Sequence, residues 1–241
     1  MHRPLLLHIG RHKTGSTSLQ AWLADAAPVL RERGFQVITR QDYAAASRVT
    51  PTRRLQTNLY DLTQMFARPG LISGPRVRGE APRLSRDEKL DAAQAVNACL
   101  HAQPGGTLIM SSEGFSILRT PEEGEPVRAL FDGFDLRVMM IDRERESWIR
   151  SYRQTLAFLD AHRPADGDLA GTIFDFGPDS PHFDLSGLHA IFPDIDMFQY
   201  EDLMARDGST VPCFLRWAGI DPDGLPPLDV WKRRTVYPDG V

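Results

Sequence analysis

Gly10 and Gly15 separate an apolar run from a helix-patterned segment, and the chain between them has to turn sharply. The run Pro4 to Ile9 is short and apolar, the pattern of a strand covered on both faces of a parallel sheet. Beyond Gly15, Leu19, Trp22, Leu23, Ala26 and Leu30 recur at three- and four-residue spacings. That spacing predicts a helix opening at Ser16 and stopping at Gly34, with Pro28 as a point of kinking or division. Residues 35–39, Phe-Gln-Val-Ile-Thr, then predict a second strand, so the chain opens as a βαβ unit. A strand-to-helix turn of this kind aims successive backbone N–H groups at one point. The helix N-terminus adds about half a positive charge there, Lys13 adds a full one, and Ser16 and Thr17 add hydroxyl donors.

The remainder of the chain alternates in the same way. Ser85 and Glu88 form a capping-box pattern ahead of Leu90, Ala93, Val96 and Leu100, which predicts a helix ended by Pro104, Gly105 and Gly106. Thr107 to Met110 and Leu136 to Ile141 read as buried strands, each with polar residues at its carboxyl end, where a doubly wound sheet places its ligand chemistry. Trp148, Ile149, Tyr152, Leu156 and Leu159 mark a long helix. A helix near 184–192, a strand at Met197 to Tyr200 and a helix near 209–218 follow. Two stretches rich in proline and glycine read as loops: a mobile one in which prolines and glycines from Pro69 to Pro82 are scattered among Arg68, Arg76, Arg78, Arg83 and Arg86, and residues 163–182. The fold class expected is α/β, a three-layer doubly wound parallel sheet with a P-loop-like phosphate-binding loop, in a single domain spanning residues 1–241.

Composition removes several function classes. The formal net charge of -4 argues against a general nucleic-acid binder, so an anion site has to be local. Cys99 and Cys213 are the two cysteines; they support neither a disulfide scaffold nor a metal pair and read as small buried hydrophobes. The apolar run ending at Gly10 is too short for a signal-peptide core or a membrane span, so the expectation is a cytoplasmic protein without stable membrane insertion. His162, His182 and His189 lack metal-ligand spacing, and no metal site is expected.

The loop differs from a nucleotide P-loop, which places lysine directly after its second glycine; here Ser16 stands there, and Lys13 precedes Gly15 by two residues. The order Lys13-Thr14-Gly15-Ser16-Thr17, after a strand and before a helix, resembles the 5'-phosphosulfate loop of the sulfotransferase family. A second segment carries the same likeness: Arg143 ends a strand, and Ser151 follows eight positions later in the next helix. Phe198 to Leu203 and Phe214 to Gly219 resemble the later part of bacterial members, so the likeness spans nearly the whole chain.

The resemblance implies 3'-phosphoadenosine 5'-phosphosulfate as cofactor and adenosine 3',5'-bisphosphate as product. Lys13 would contact the phosphosulfate bridge, Thr14, Gly15, Ser16 and Thr17 the 5'-phosphate, and Arg143 with Ser151 the 3'-phosphate. Arg233, within the basic cluster Lys232 to Arg234, lies where many members return a C-terminal loop over that 3'-phosphate. Sulfuryl transfer also needs a base for the acceptor's proton and a cation near the leaving oxygen. Lys13 suits the second role. Glu113, after the strand Thr107 to Met110, is the candidate base; family members carry histidine or glutamate in that role. His12, in the loop, is a rival base or a substrate contact, and His8 a rival that reads more simply as a packed strand residue. Two alternatives remain open at this point: a P-loop-like kinase or NTPase, with Asp142 as its magnesium carboxylate, and a catalytically silent nucleotide-binding domain. A small-molecule, glycan or lipid acceptor is expected, its identity and the oligomeric state being beyond pattern reasoning.

Overall fold

A run of apolar strands joined by helices has to be covered on both faces, and the way side chains alternate along the strands decides which helix covers which face. The computed structural model describes residues 2–48, 56–69, 71, 81, 83–156 and 183–227, with the side chains of 154–156 excepted. Most of the expected mobile loop, the loop at 163–182 and Arg233 lie outside these residues. In chain order the elements are β1 (Arg3–His8), α1 (Ser16–Glu32), β2 (Phe35–Val37), α2 (Tyr60–Phe66), α3 (Arg86–His101), β3 (Thr107–Ser111), α4 (Pro121–Leu130), β4 (Phe134–Asp142), α5 (Arg145–Leu156), α6 (Ser186–Ile191), β5 (Ile195–Gln199), α7 (Tyr200–Asp207) and α8 (Val211–Ala218). Short 3-10 turns occur at Arg40–Tyr43 and Glu113–Ile117.

The five strands form one sheet in the order β2-β3-β1-β4-β5, and every neighbouring pair is parallel. Leu5, Leu7, Leu108, Met110, Val138 and Met140 face one hydrophobic cluster with α2 to α6. Leu6, Ile109, Met139 and Ile141 face the other, with α1, α7 and α8. This period-two division makes the α/β/α three-layer architecture that the strand and helix pattern predicts. Cys213 packs inside the second cluster and Cys99 against the edge of the first.

Several boundaries differ from the sequence expectation, each for a local reason. The second strand stops at Val37 because the Asp42 carboxylate accepts from the Thr39 N–H (2.7 Å) and hydroxyl (2.8 Å), starting a 3-10 turn where strand was expected. Pro28 leaves α1 undivided: it deprives the carbonyl of Ala24 of its donor, but both residues are on the exposed side, where water can take that bond. The strand expected at 197–200 spans Ile195–Gln199, and Tyr200 opens α7 instead. Helix α4 carries a legible start that the apolar-spacing argument passes over, since Thr120 and Glu123 form a full capping box with Pro121 at the first turn.

The chain runs from β1 out to β2, back to β3 beside β1, and then across to β4 on the other side. Strand order therefore reverses at β1, and the carboxyl ends of β3, β1 and β4 border one crevice. Beside that crevice, Glu123 is 0% exposed and accepts from the backbone N–H groups of Arg68 (2.6 Å), Arg119 (2.7 Å) and Thr120 (3.0 Å), and from Arg68 Nη1 (3.2 Å). One carboxylate thus pins the residue at 68, just after α2, to the start of α4. Glu123→Ala is expected to lower the unfolding free energy by about 3 kcal/mol, because it leaves a half-buried cation and several backbone donors uncompensated; a urea midpoint equal to that of the parent chain would contradict this account.

Candidate functional site

The parallel ladder carries on past β1: Ile9 N–H donates to Met139 O (2.9 Å) and Arg11 N–H to Ile141 O (3.0 Å). From there the loop is held by its carbonyl groups. Trp148 Nε1 donates to His12 O (2.8 Å), Arg143 Nη1 to Lys13 O (2.7 Å), and the Thr14 hydroxyl to Arg11 O. Gly15 O accepts from Ser18 and Leu19. Lys13 sits at φ 67, the one non-glycine residue with positive φ among those described, a conformation costing roughly 1–2 kcal/mol that the surroundings must stabilise. Gly15 follows at φ 80 as the N-cap of α1, with no side-chain cap and no acidic residue in the first turn. Among the described residues, the N–H groups of Thr14, Gly15, Ser16 and Thr17 meet no acceptor. A long helix with a bare, unopposed positive end is a ready anion seat.

The structure brings three of the candidate catalytic residues together. Glu113 begins the 3-10 turn after β3, and its Oε1 lies 3.4 Å from His12 Nδ1, both side chains being largely buried. The His12 ring stacks on Tyr152 at 5.7 Å and tilts against Tyr60 at 5.6 Å. Burial lowers the Lys13 ammonium from its usual range, with Glu113 opposing the shift and Arg143 reinforcing it. Segment 57–60, on which Tyr60 stands, is tied to the same ends: Thr57 Oγ1 donates to Gln20 O (2.6 Å) and Leu59 N–H to Ser111 O (3.0 Å).

Arg143 stands against the loop as well as at the end of β4. Its Nε donates to Ser147 Oγ (2.9 Å), and its guanidinium lies 4.7 Å over the Tyr200 ring. Glu201 Oε1 lies 3.7 Å from Nε and partly balances the charge. The hydroxyl bonded to Arg143 is thus that of Ser147, one turn before Ser151 on the same strip of α5; Ser151 itself is half-buried. Asp142, the carboxylate required by a kinase reading, is already engaged: Arg11 Nε lies 2.8 Å from its Oδ1, close but out of line for a hydrogen bond, and Arg143 N–H donates to it (2.7 Å).

Tyr200 and Thr210 pack against the loop at Gly15, and the sequence reading missed both. A β-carbon on Gly15 would stand 3.0 Å from Thr210 Cγ2 and 3.7 Å from Tyr200 Cε2. Nothing in spacing or composition signals such a contact between residues this far apart. Buried polar atoms without a partner among the described residues include His8 Nε2, Ser16 Oγ, Gln20 Oε1, Ser112 Oγ and Thr210 Oγ1. Such atoms are rare in folded chains and mark places where a ligand or water completes the set.

No protein-family model matches the chain, and no curated protein matches it. Among solved structures, the chain is similar to a sulfotransferase from Alicyclobacillus acidocaldarius, with a TM-score of 0.49 and 12% identity over 95% of this chain and 86% of that one. It is also similar to the sulfotransferase domain from the curacin biosynthetic pathway, with a TM-score of 0.41 and 14% identity over 92% of this chain and 75% of that one.

His8, 0% exposed and bonded through Nδ1 to Ser111 Oγ (2.9 Å), has no path to an acceptor and behaves as the packed strand residue. Burial pushes its imidazole from 6.5 down to about 4, against the opposing pull of Glu113. Between those values the unfolded chain binds the proton and the folded chain does not, so this contribution is complete above pH 6.5 and is lost as pH falls towards 4. On the order of 3 kcal/mol is involved. Urea unfolding of the parent chain and of His8→Gln is expected to show a flatter pH dependence for the variant across that window; parallel profiles would contradict the burial argument.

Proposed function

We propose that this protein is a sulfotransferase that uses 3'-phosphoadenosine 5'-phosphosulfate and an acceptor hydroxyl or amine on a small molecule, glycan or lipid. The observation that carries the reading is the row of N–H groups at 14–17, without an acceptor among the described residues, at a helix N-terminus that has neither a side-chain cap nor an acid in its first turn. Buried Ser16 Oγ and Thr210 Oγ1, both without a partner among the described residues, fit the same oxyanion-rich cofactor. So does the resemblance of Lys13 to Thr17, and of Arg143 and Ser151, to the family's phosphate contacts.

The cofactor, when bound, supplies an electrophilic sulfuryl sulfur joined to a phosphate oxygen that can leave. Thr14, Gly15, Ser16 and Thr17 orient the 5'-phosphate by hydrogen bonds that need no rearrangement. Lys13 holds a positive charge where negative charge grows on the departing oxygen. Arg143, already anchored by Ser147 and the Lys13 carbonyl, turns its remaining edge towards the 3'-phosphate, with Ser151 one turn beyond. Glu113 takes the acceptor's proton. His12 contacts the reacting end: its Nδ1 faces Glu113, which fixes the ring and leaves Nε2 for the acceptor.

Lys13→Ala and Arg143→Ala should each weaken binding of adenosine 3',5'-bisphosphate in calorimetry by more than the ~1 kcal/mol of a neutral contact, because both meet charged oxygens. Unchanged affinity in both variants removes the site. Glu113→Gln should fold and bind the bisphosphate normally while transfer of labelled sulfate to a cell-extract acceptor falls by about 10²–10⁴-fold. Parent-level turnover in that variant takes Glu113 out of the mechanism.

A further inference from the structure

His8 takes no part in the transfer chemistry above, yet it lies directly beneath the loop. Ser111 Oγ is 2.9 Å from His8 Nδ1, and the Gln20 side-chain amide donates to the same oxygen over 3.3 Å. A serine hydroxyl has one proton and two lone pairs, so with Gln20 on one lone pair the Ser111 proton is available to Nδ1. With that proton on Nδ1, the ring, kept neutral by burial, carries its own proton on Nε2.

Nε2 and Ser16 Oγ lie on the same side of Gly10. A β-carbon there would stand 2.6 Å from Nε2 and 3.0 Å from Ser16 Oγ. Glycine at this position is what admits the ring edge and the hydroxyl together, since any side chain would collide with the imidazole. His8 is 0% exposed and Ser16 3%, and neither atom has a partner among the described residues. Two polar atoms within reach of one point can meet in a hydrogen bond after a turn of the serine about its Cα–Cβ bond.

Building on the phosphate-loop reading above, we propose that His8 is a positioning residue: its Nε2–H donates to Ser16 Oγ and so directs the Ser16 hydroxyl proton outward, to an oxyanion held by the loop. Gln20, Ser111, His8 and Ser16 form one donor chain that leaves α1, passes through β3 and β1, and returns to the first turn of α1. Each hydroxyl in it accepts from one neighbour and donates to the next. The anion receives a hydroxyl donor whose direction is set before binding, which is the arrangement that gives the most for a fixed number of contacts.

Two measurements test this. In the chain without ligand, imidazole nitrogen NMR should show His8 as the Nε2–H tautomer, with a signal that moves in Ser16→Ala and in Ser111→Ala; an Nδ1–H tautomer, or a signal indifferent to both substitutions, overturns the proposal whatever the chain binds. In calorimetry with inorganic sulfate, and separately with adenosine 3',5'-bisphosphate, His8→Leu and Ser16→Ala should each lose about five- to tenfold in affinity, the size of one hydrogen bond. The double variant should lose no more than either alone, because both remove the same donor. His8→Gln, which returns an N–H at the Nε2 position, should recover most of the loss. Additive losses, or no rescue by glutamine in a variant that melts as the parent does, would show a purely structural histidine. Sulfate binding that follows this pattern without bisphosphate binding would reject the sulfotransferase reading and keep this one.

Discussion

The working face of the molecule depends on two hydrogen bonds that reach back from β4 and α5 to the carbonyls of His12 and Lys13. A peptide unit is planar and trans, so fixing one carbonyl also fixes the next N–H, pointing the opposite way. With His12 O turned to the Trp148 indole and Lys13 O to Arg143, the N–H groups of Lys13 and Thr14 are turned to the other side. The left-handed backbone at Lys13 and Gly15 then adds the N–H groups of the first helical turn to the same side. Arg143 has a double part here: it shapes the loop through a carbonyl and contributes charge of its own.

Charge around the loop is apportioned with similar economy. The chain as a whole is acidic, and several cations near the crevice are individually balanced, Arg11 by Asp142 and Arg143 in part by Glu201. An anion at the loop would therefore meet oriented dipoles at the start of α1 together with Lys13, over a short range. Such a field acts on a bound group and little on the surroundings.

How much of this was legible in the sequence follows from the range of each interaction. Gly10, Lys13, Gly15 and Ser16 are recognisable because a strand, a tight turn and a helix start impose residue types within a few positions of one another. The same holds for the layers, since alternate residues of β1, β3 and β4 divide between two clusters, and for the Ser85–Glu88 cap. The Ser147 hydroxyl beside Arg143, the indole of Trp148 on His12 O, and Tyr200 and Thr210 against Gly15 carry no such trace. They are contacts between side chains and distant backbone, fixed by the angles at which elements pack. Helix α4 was missed for a different reason: its start is written in Thr120 and Glu123, but Glu123 faces inward to serve Arg68 and Arg119, so its charge obscures the apolar stripe that marks most helices.

The bare α-carbon of Gly15 lets Thr210 and Tyr200 come up against the loop. A turn encoded within the first twenty residues is thus backed by residues some two hundred positions later. During synthesis the opening βαβ segment leaves the ribosome long before its support exists, and the seat at the start of α1 takes its final shape only as the last strand and helices dock. Assembly order therefore completes the surroundings of this turn at the end of folding rather than at the beginning.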